Sequence, residues 1–530
     1  MRQFSSYGPV DTDLHYYAPR KDLTDKAYMQ LRGKNPNKGG HYITVWAPRQ
    51  AGKTWVMQQV LKKIKKKGEF EVGIISMQSA KTQTSDQGVL RVFVRKLEKW
   101  FDRKLPDTDS WENLSELFVG EHFEKPLILI IDEFDALREN FINKFANEFR
   151  DMYISRQNQA DRPSDKKSCL LHGLALVGVR SVLGIENVTG SSFNVQRTMH
   201  IPNLTSGETE GIFTWYERES GQKIDDKVIE QIFCETRGQP GLTCWFGELL
   251  TEKYNKYLSD PISMRNFEIV RAAAIKALPN NNILNIISKA DREPYKSAVL
   301  NMFRTARRTE FSYDDKIQNS LYLNGVIDYE IENETDYFVR FACPLVQKRL
   351  FNYFAREMFG YVGKIHEPFE DLSDTLTEKG LNIGNLMRRF QNYLKKNREW
   401  LLRDAPRRKD LRIFEAVYHF SLYRYLCDFL GTRDARVWPE FPTGNGKIDI
   451  IIEYAGLIYA LELKSYTDER QYYEALDQAA QYGRQLGLSE VSLILFVEYV
   501  DDANREKYEN AYTDKDTGVR VTPVFVETGS

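Results

Sequence analysis

Ala47-Pro48-Arg49-Gln50-Ala51-Gly52-Lys53-Thr54 decides the fold. It follows the β-rich run His41–Ala47 and opens a helical pattern over 53–68. Strand, loop and helix in that order form a phosphate cradle, because the free N–H groups of a helix start and its positive dipole end face an anion. The stretch matches GxxxxGK[ST] except that Ala47 replaces the first glycine. Lys53 is placed to reach β/γ-phosphates and Thr54 to hold Mg²⁺. The backbone of Pro48, Arg49, Gln50, Ala51 and Gly52 would line the cradle.

Outward from this loop the chain alternates short apolar runs with helical patterns. The runs are 41–47, 71–77, 126–132 and 174–179; the helices are expected at 53–68, 88–103 and 140–155. Continuous apolar strands between helices predict a parallel sheet buried on both faces, hence an α/β domain. The run Leu127–Ile131 ends in Asp132-Glu133. Asp132 suits the Mg²⁺ shell, and Glu133 suits a general base that polarises attacking water. The polar stretch 156–168 is expected to be a mobile loop.

Composition bounds the rest. The chain has 530 residues, 42% hydrophobic and 13% aromatic, enough for several cores and against wholesale disorder. Its 74 Lys+Arg and 75 Asp+Glu give a net charge of −1, so any nucleic-acid contact must come from a local patch. Five scattered cysteines without a CxxC disfavour a disulfide framework and a structural zinc. The N-terminus lacks an apolar signal region, and no apolar run approaches the roughly 20 residues of a spanning helix. A cytoplasmic protein without a membrane role is expected.

A second constellation lies near the other end. Gly446–Ile452 alternates into a strand carrying Asp449, and Leu457–Lys464 forms another carrying Glu462 and Lys464. Positions two apart on a strand share a face. A hairpin therefore brings Asp449 to Glu462 and Lys464. Two carboxylates suit Mg²⁺ or Mn²⁺, and a lysine beside them can orient water or neutralise a phosphorane. Upstream, Glu415 lies in a helical run and offers a further ligand. Gln478 and Tyr482 are four apart on one helix face.

The front part, about 41–260, resembles the AAA-like and STAND-type P-loop ATPases. The resemblance implies ATP as ligand, a sensor near Gly178–Ser181, a conformational Arg near Asn194–Arg197, and a Gly-x-Pro element at Gly238–Gly241 whose Pro240 touches the base. The last part, about 411–500, resembles the PD-(D/E)XK nucleases. There Asp449 and Glu462 match the two acids, Lys464 the lysine, Glu415 the first-helix Glu, and Gln478 with Tyr482 a QxxxY element.

The expected architecture is α/β multidomain. It comprises an extension (1–40), a P-loop parallel-sheet domain (41–205), a helical lid (206–260), a helical, winged-helix-like domain (261–365), a basic helical linker (366–410) and a restriction-endonuclease-like domain (411–530). Between Arg388 and Arg412 ten basic residues face three acids, a local charge of +7, with Phe390, Tyr393 and Trp400 interleaved. That segment is expected to touch nucleic acid, DNA before RNA. The functional expectation is an ATP-binding, nucleotide-regulated, metal-dependent nuclease, with a role in bacterial defence or mobile elements and with room for a homo-oligomer. The alternative is a nucleotide-switched DNA- or protein-binding module that does not cut.

Overall fold

The computed structural model describes residues 1–178, 196–255, 257–303, 309–360, 362–365, 370–403, 405, 415–431, 433, 435–443, 446–465 and 468–529. The chain divides into two compact units. One holds Met1–Ala274 with Tyr313–Gly325, the other Ile275–Ser312 with Val326–Ser530.

The first unit begins with α1 (Lys21–Arg32), β1 (Tyr42–Trp46), α2 (Lys53–Lys67), β2 (Glu71–Ser76), α3 (Asp86–Phe101), β3 (Leu127–Asp132), α4 (Glu139–Asn158), β4 (Leu171–Gly178) and β5 (Gln196–His200). The lid helices α5 (Ser206–Ser220), α6 (Asp226–Thr236) and α7 (Pro240–Glu248) follow. The sheet runs β2-β3-β4-β1-β5, all parallel. β3 shows why its sequence is apolar without alternation. Ile128 and Ile130 pack with Val56, Val60 and Ile64 of α2 on one face. Leu127, Leu129 and Ile131 pack with Phe93 of α3 and Phe145 and Phe149 of α4 on the other. Each such buried side chain stabilises the fold by about 1.5–3 kcal/mol.

Two expectations change here. Residues 1–40 are built into the unit rather than appended to it. Phe4 lies within 5.0–5.5 Å of the rings of Tyr16, Phe213 and Tyr216, and Ala27 and Leu31 of α1 are fully buried. The loop expected to be mobile over 156–168 is pinned by buried polar groups. Arg156, 3% exposed, donates to the Cys169 carbonyl and to Ser164 Oγ, and Lys167 Nζ donates to the Arg156 carbonyl at 2.7 Å. Polarity marked this stretch as solvent-seeking, but two of its cations, Arg156 and Lys167, are satisfied internally.

Ser164 Oγ accepts from Arg156 and lies 2.7 Å from His172 Nδ1, while His172 Nε2 faces the Arg32 carbonyl at 2.9 Å. This assigns neutral His172 with its proton on Nε2. Burial lowers its pKa to about 4. An unfolded His titrates near 6.5, so the unfolded chain takes up a proton that folded His172 refuses. Stability therefore falls as pH drops from about 6.5 to 4. In thermal melts over that window, His172→Gln is expected to flatten the acid-side decline.

Along the chain come α8 (Met264–Lys276), α9 (Asn281–Ala290), α10 (Tyr295–Met302), α11 (Lys316–Leu323), the hairpin β6 (Ile327–Glu332) and β7 (Asp336–Phe341), and α12 (Pro344–Met358). The expected helix, glycine turn and hairpin are present in order, but α11 belongs to the first unit and the hairpin to the second.

The second unit continues with the short hairpin β8 (Leu376–Thr377) and β9 (Gly380–Leu381), then α13 (Ile383–Leu401), α14 (Glu415–Leu430), β10 (Ala435–Thr443), β11 (Gly446–Tyr454), β12 (Leu457–Ser465), α15 (Glu469–Gln485), β13 (Glu490–Val497), α16 (Asp502–Tyr508), β14 (Tyr512–Thr513) and β15 (Arg520–Glu527). Its sheet order is β10-β11-β12-β13-β15-β14. β10, β11 and β12 are antiparallel neighbours; β12, β13 and β15 are parallel. The apolar face of α15 (Tyr472, Ala475, Leu476, Ala479, Ala480) covers Leu493, Leu495 and Val521.

Candidate functional sites

The loop 47–52 joins the end of β1 to α2, beside the end of β3. Its left-handed residues are Gln50 (φ 56°) and Gly52 (φ 86°). Ala47 is fully buried and is not among the left-handed residues, so the missing first glycine imposes no backbone strain. Lys53 Nζ donates to the carbonyls of Ala47 and Pro48, both at 2.8 Å. Burial lowers its pKa to about 8, against the pull of Asp135 and Asp132. Thr54 Oγ1 donates to Asp132 Oδ2 at 2.6 Å. Burial raises the Asp132 pKa, and the Thr54 bond opposes that. A hydroxyl beside a carboxylate is a hard-oxygen set that fits Mg²⁺. Glu133, in the left-handed region (φ 52°), accepts from Ser76 Oγ at 2.6 Å. Ser76 escaped the sequence reading; its signal is that it ends β2 in register with Asp132.

The lid closes on this loop through the start of α7. Gln239 caps the helix by accepting from the Leu242 N–H at 2.6 Å, and Pro240 occupies its first turn. Gln239 Nε2 donates to the Arg49 carbonyl at 3.0 Å, and the Gly241 N–H to the Gln50 carbonyl at 3.2 Å. A Cβ on Gly241 would lie 2.7 Å from Gln50 Cβ, which a rotamer change cannot relieve, so this close approach favours glycine. Pro240, singled out from sequence, thus stands beside the phosphate loop. Of the expected sensor residues, Gly178 ends β4 and Arg197 is exposed on β5. Val179, Arg180, Ser181, Asn194 and Val195 lie outside the described residues.

Residues 5–253 match the AAA-like domain family. This part of the chain is a P-loop ATPase-like domain that binds nucleotide. No curated protein matches the chain. Among solved structures, the chain is similar to a Walker-type ATPase of Pyrococcus abyssi, with 13% identity, 66% of this chain and 98% of that one covered, and a TM-score of 0.39. It is similar to the ORC1 protein of Aeropyrum pernix, solved in complex with DNA, with 13% identity, coverage of 64% and 94%, and a TM-score of 0.33. It is also similar to the RuvB Holliday junction branch migration motor of Thermotoga maritima, with 14% identity, coverage of 61% and 92%, and a TM-score of 0.34. Among the described residues no helix is long and apolar enough to cross a membrane.

The second constellation sits where the β11–β12 ladder ends. The last paired residues are Ile450 and Leu461, and one step further puts Asp449 opposite Glu462. There the Asp449 side chain continues the pairing: Oδ2 accepts from the Leu463 N–H at 2.7 Å. Asp449, Glu462 and Lys464 are 5%, 0% and 3% exposed. Lys464 Nζ pairs with Glu462 Oε1 at 2.9 Å. Burial pulls the lysine pKa down, but the Glu462 and Asp449 carboxylates outweigh it and the net shift is upward. Gln478 Nε2 donates to Tyr482 Oη. Burial, then the Glu462 charge, raises the Tyr482 pKa. A cleft of about 90 Å³ opens here between Lys464, Ser465 and the α15 residues Gln471, Glu474 and Gln478.

The structure places Asp449, Glu462 and Lys464 together, with Tyr482 and Gln478 beside them. Glu415 begins α14, but its side chain lies outside the described residues. Among the described residues no three His, Cys, Asp or Glu side chains converge as a metal site. Asp449 and Glu462 are two hard-oxygen donors, which fits a Mg²⁺ that keeps waters or substrate oxygens in its other positions.

The basic stretch differs from a solvated linker. α13 is amphipathic: Phe390 is fully buried and Tyr393 4% exposed, so neither ring is open for stacking on a base, while Trp400 is 39% exposed. Arg389 is held by Glu370, Asp374 (2.6 Å) and Thr375 Oγ1 (2.7 Å), and Lys395 by Glu527. Arg388, Lys395, Lys396 and Arg403 are exposed. Arg407, Arg408, Lys409 and Arg412 lie outside the described residues.

Proposed function

We propose that the chain is an ATP-regulated, Mg²⁺-dependent nuclease acting on DNA in the cytoplasm, with ATP hydrolysis in the first unit and phosphodiester hydrolysis in the second. The observation that carries the reading is the burial of Asp449, Glu462 and Lys464 together at one strand end beside an open cleft. The order α14, β11, β12, α15 also supports it, since the nuclease resemblance assigns a first-helix Glu, an Asp, a second acid with the lysine, and a QxxxY element in that order. A bound Mg²⁺ supplies Lewis acidity and lowers the pKa of water. Asp449 and Glu462 hold the ion. Lys464 moves from Glu462 toward the scissile phosphate and offsets the charge that grows on it. Gln478 donates to Tyr482 Oη, and the Glu462 charge acts on that phenol. In the first unit Lys53 takes the β/γ-phosphates, Thr54 and Asp132 the Mg²⁺ shell, and Glu133 the attacking water, with Ser76 fixing its carboxylate. Supercoiled plasmid with Mg²⁺ or Mn²⁺, with and without ATP, tests the reading: nicked or linear product supports it, and intact plasmid, single-stranded DNA and RNA under all conditions reject it.

The exposed cations of α13, with Arg403 just beyond its end, are the proposed backbone contact, since nucleic-acid affinity is dominated by phosphates. Arg388→Ala, Lys396→Ala and Arg403→Ala combined should weaken DNA binding and lower the slope of log affinity against log salt by about 2–3, at roughly 0.9 per phosphate contact. An unchanged slope places the contact elsewhere. Self-association is part of the proposal, and sedimentation with and without ATP reads it.

A further inference from the structure

The chain returns to the first unit once, over Tyr313–Gly325, and leaves it at Val326, one residue before β6. That excursion carries α11 and ends at the phosphate loop. Tyr322 packs edge-on against Trp46 with ring centroids 5.9 Å apart, and Tyr313 stands 6.5 Å from the same ring. Trp46 is the last residue of β1, directly before the loop, and is 8% exposed. Gly325 has φ +74°, and a Cβ there would lie 3.2 Å from Pro48 Cβ. Any other residue would be both strained and crowded.

Pro48 is therefore held from two sides. Its carbonyl accepts from Lys53 Nζ at 2.8 Å, and its ring touches Gly325. Two of the three ammonium donors of Lys53 are committed to the Ala47 and Pro48 carbonyls, so turning more than one donor to the β- and γ-phosphates takes it off at least one of them. A nucleotide that takes Lys53 in this way loosens its hold on the Ala47–Pro48 segment, which can then shift. A close-packed contact such as that of half-buried Pro48 with buried Gly325 transmits such a shift instead of absorbing it. We propose that the Pro48–Gly325 contact, backed by the Trp46–Tyr322 packing, reads the occupancy of the phosphate loop and passes it along the chain at Val326 into the second unit. The inference rests on the nucleotide-binding reading. It supplies what that reading lacks, a physical element that differs between the empty and occupied loop and is covalently continuous with the unit bearing Asp449, Glu462 and Lys464.

The test is hydrogen exchange of the full chain at the amides of 327–341, with and without Mg²⁺–ATPγS, beside fluorescent ATP-analogue titration. In the wild type, nucleotide should change exchange at 327–341 by about fivefold or more, the low end of typical site-to-site coupling. Gly325→Ala and, separately, Tyr322→Leu should bind the analogue within about threefold of wild type yet lose the exchange response, as expected when coupling is removed without touching the ligand. The proposal falls if the wild type binds the analogue with unchanged exchange at 327–341, or if both variants respond like wild type. Failure of the analogue to bind the wild type at all overturns the nucleotide reading, and this inference with it.

Discussion

Asp449→Asn is expected to abolish Mg²⁺-dependent cleavage of plasmid DNA while lowering the melting temperature less than Lys464→Ala does. The amide is isosteric, and its oxygen can still accept from the Leu463 N–H that Asp449 Oδ2 now holds at 2.7 Å. The strand end therefore keeps its bond. What disappears is the negative charge that a hard divalent ion needs and that helps keep buried Lys464 charged, for which Glu462 remains at 2.9 Å. Changing even an outer-shell partner of a metal typically costs about 10–100-fold, so loss of a direct ligand should exceed that. Lys464→Ala behaves differently. It should lower cleavage by about 10²–10³-fold, the scale of one preorganised electrostatic donor. It should also destabilise the second unit, because Glu462 is fully buried and loses the ammonium 2.9 Å away. An orphaned buried charge costs about 3–5 kcal/mol. Cleavage assays paired with thermal melts separate the two: abolished cleavage with the smaller drop in melting temperature for Asp449→Asn, a partial loss with the larger drop for Lys464→Ala. Full activity in Asp449→Asn would remove the metal role.

Lys53→Met should reduce ATP affinity by two orders of magnitude or more, since charge-assisted hydrogen bonds contribute about 1.5–3 kcal/mol each and Lys53 is placed to make more than one. The wild type should show a matching pH dependence. Burial brings the Lys53 pKa to about 8. Below that pH the ammonium is already formed and ready for phosphate. Above it, binding must take up a proton, so affinity declines by up to about tenfold per pH unit while the free lysine stays neutral. For folding the sign is opposite: a lysine whose folded pKa is depressed penalises the fold at neutral pH, and the penalty fades as pH rises from about 8 toward its unfolded value. Isothermal titration from pH 7 to 9.5 reads the binding side. An affinity that does not fall above pH 8 in wild type, or is retained in Lys53→Met, would count against a phosphate-binding Lys53.

The sequence by itself determined the local chemistry and the local elements. Ala47–Thr54 between a β-rich run and a helical one is a loop–helix phosphate cradle wherever it folds, because dipole and free N–H groups belong to the helix start. The even spacing of Glu462 and Lys464 put both on one strand face, since the pleat has period two. Unbroken apolar runs such as Leu127–Ile131 announced a sheet covered on both sides. Only the tertiary structure decided what those pieces meet. The interleaved aromatics of α13 became core at Phe390 and Tyr393 because helix amphipathicity, not composition, chooses the buried face. The polar stretch 156–168 was ordered by partners such as Cys169 and His172, which come later in the chain. Ser76 acquired a role through its register beside Asp132, and Gly325 through its approach to Pro48, far away in sequence. Such contacts depend on which surfaces a packed fold brings together, and no local propensity encodes that.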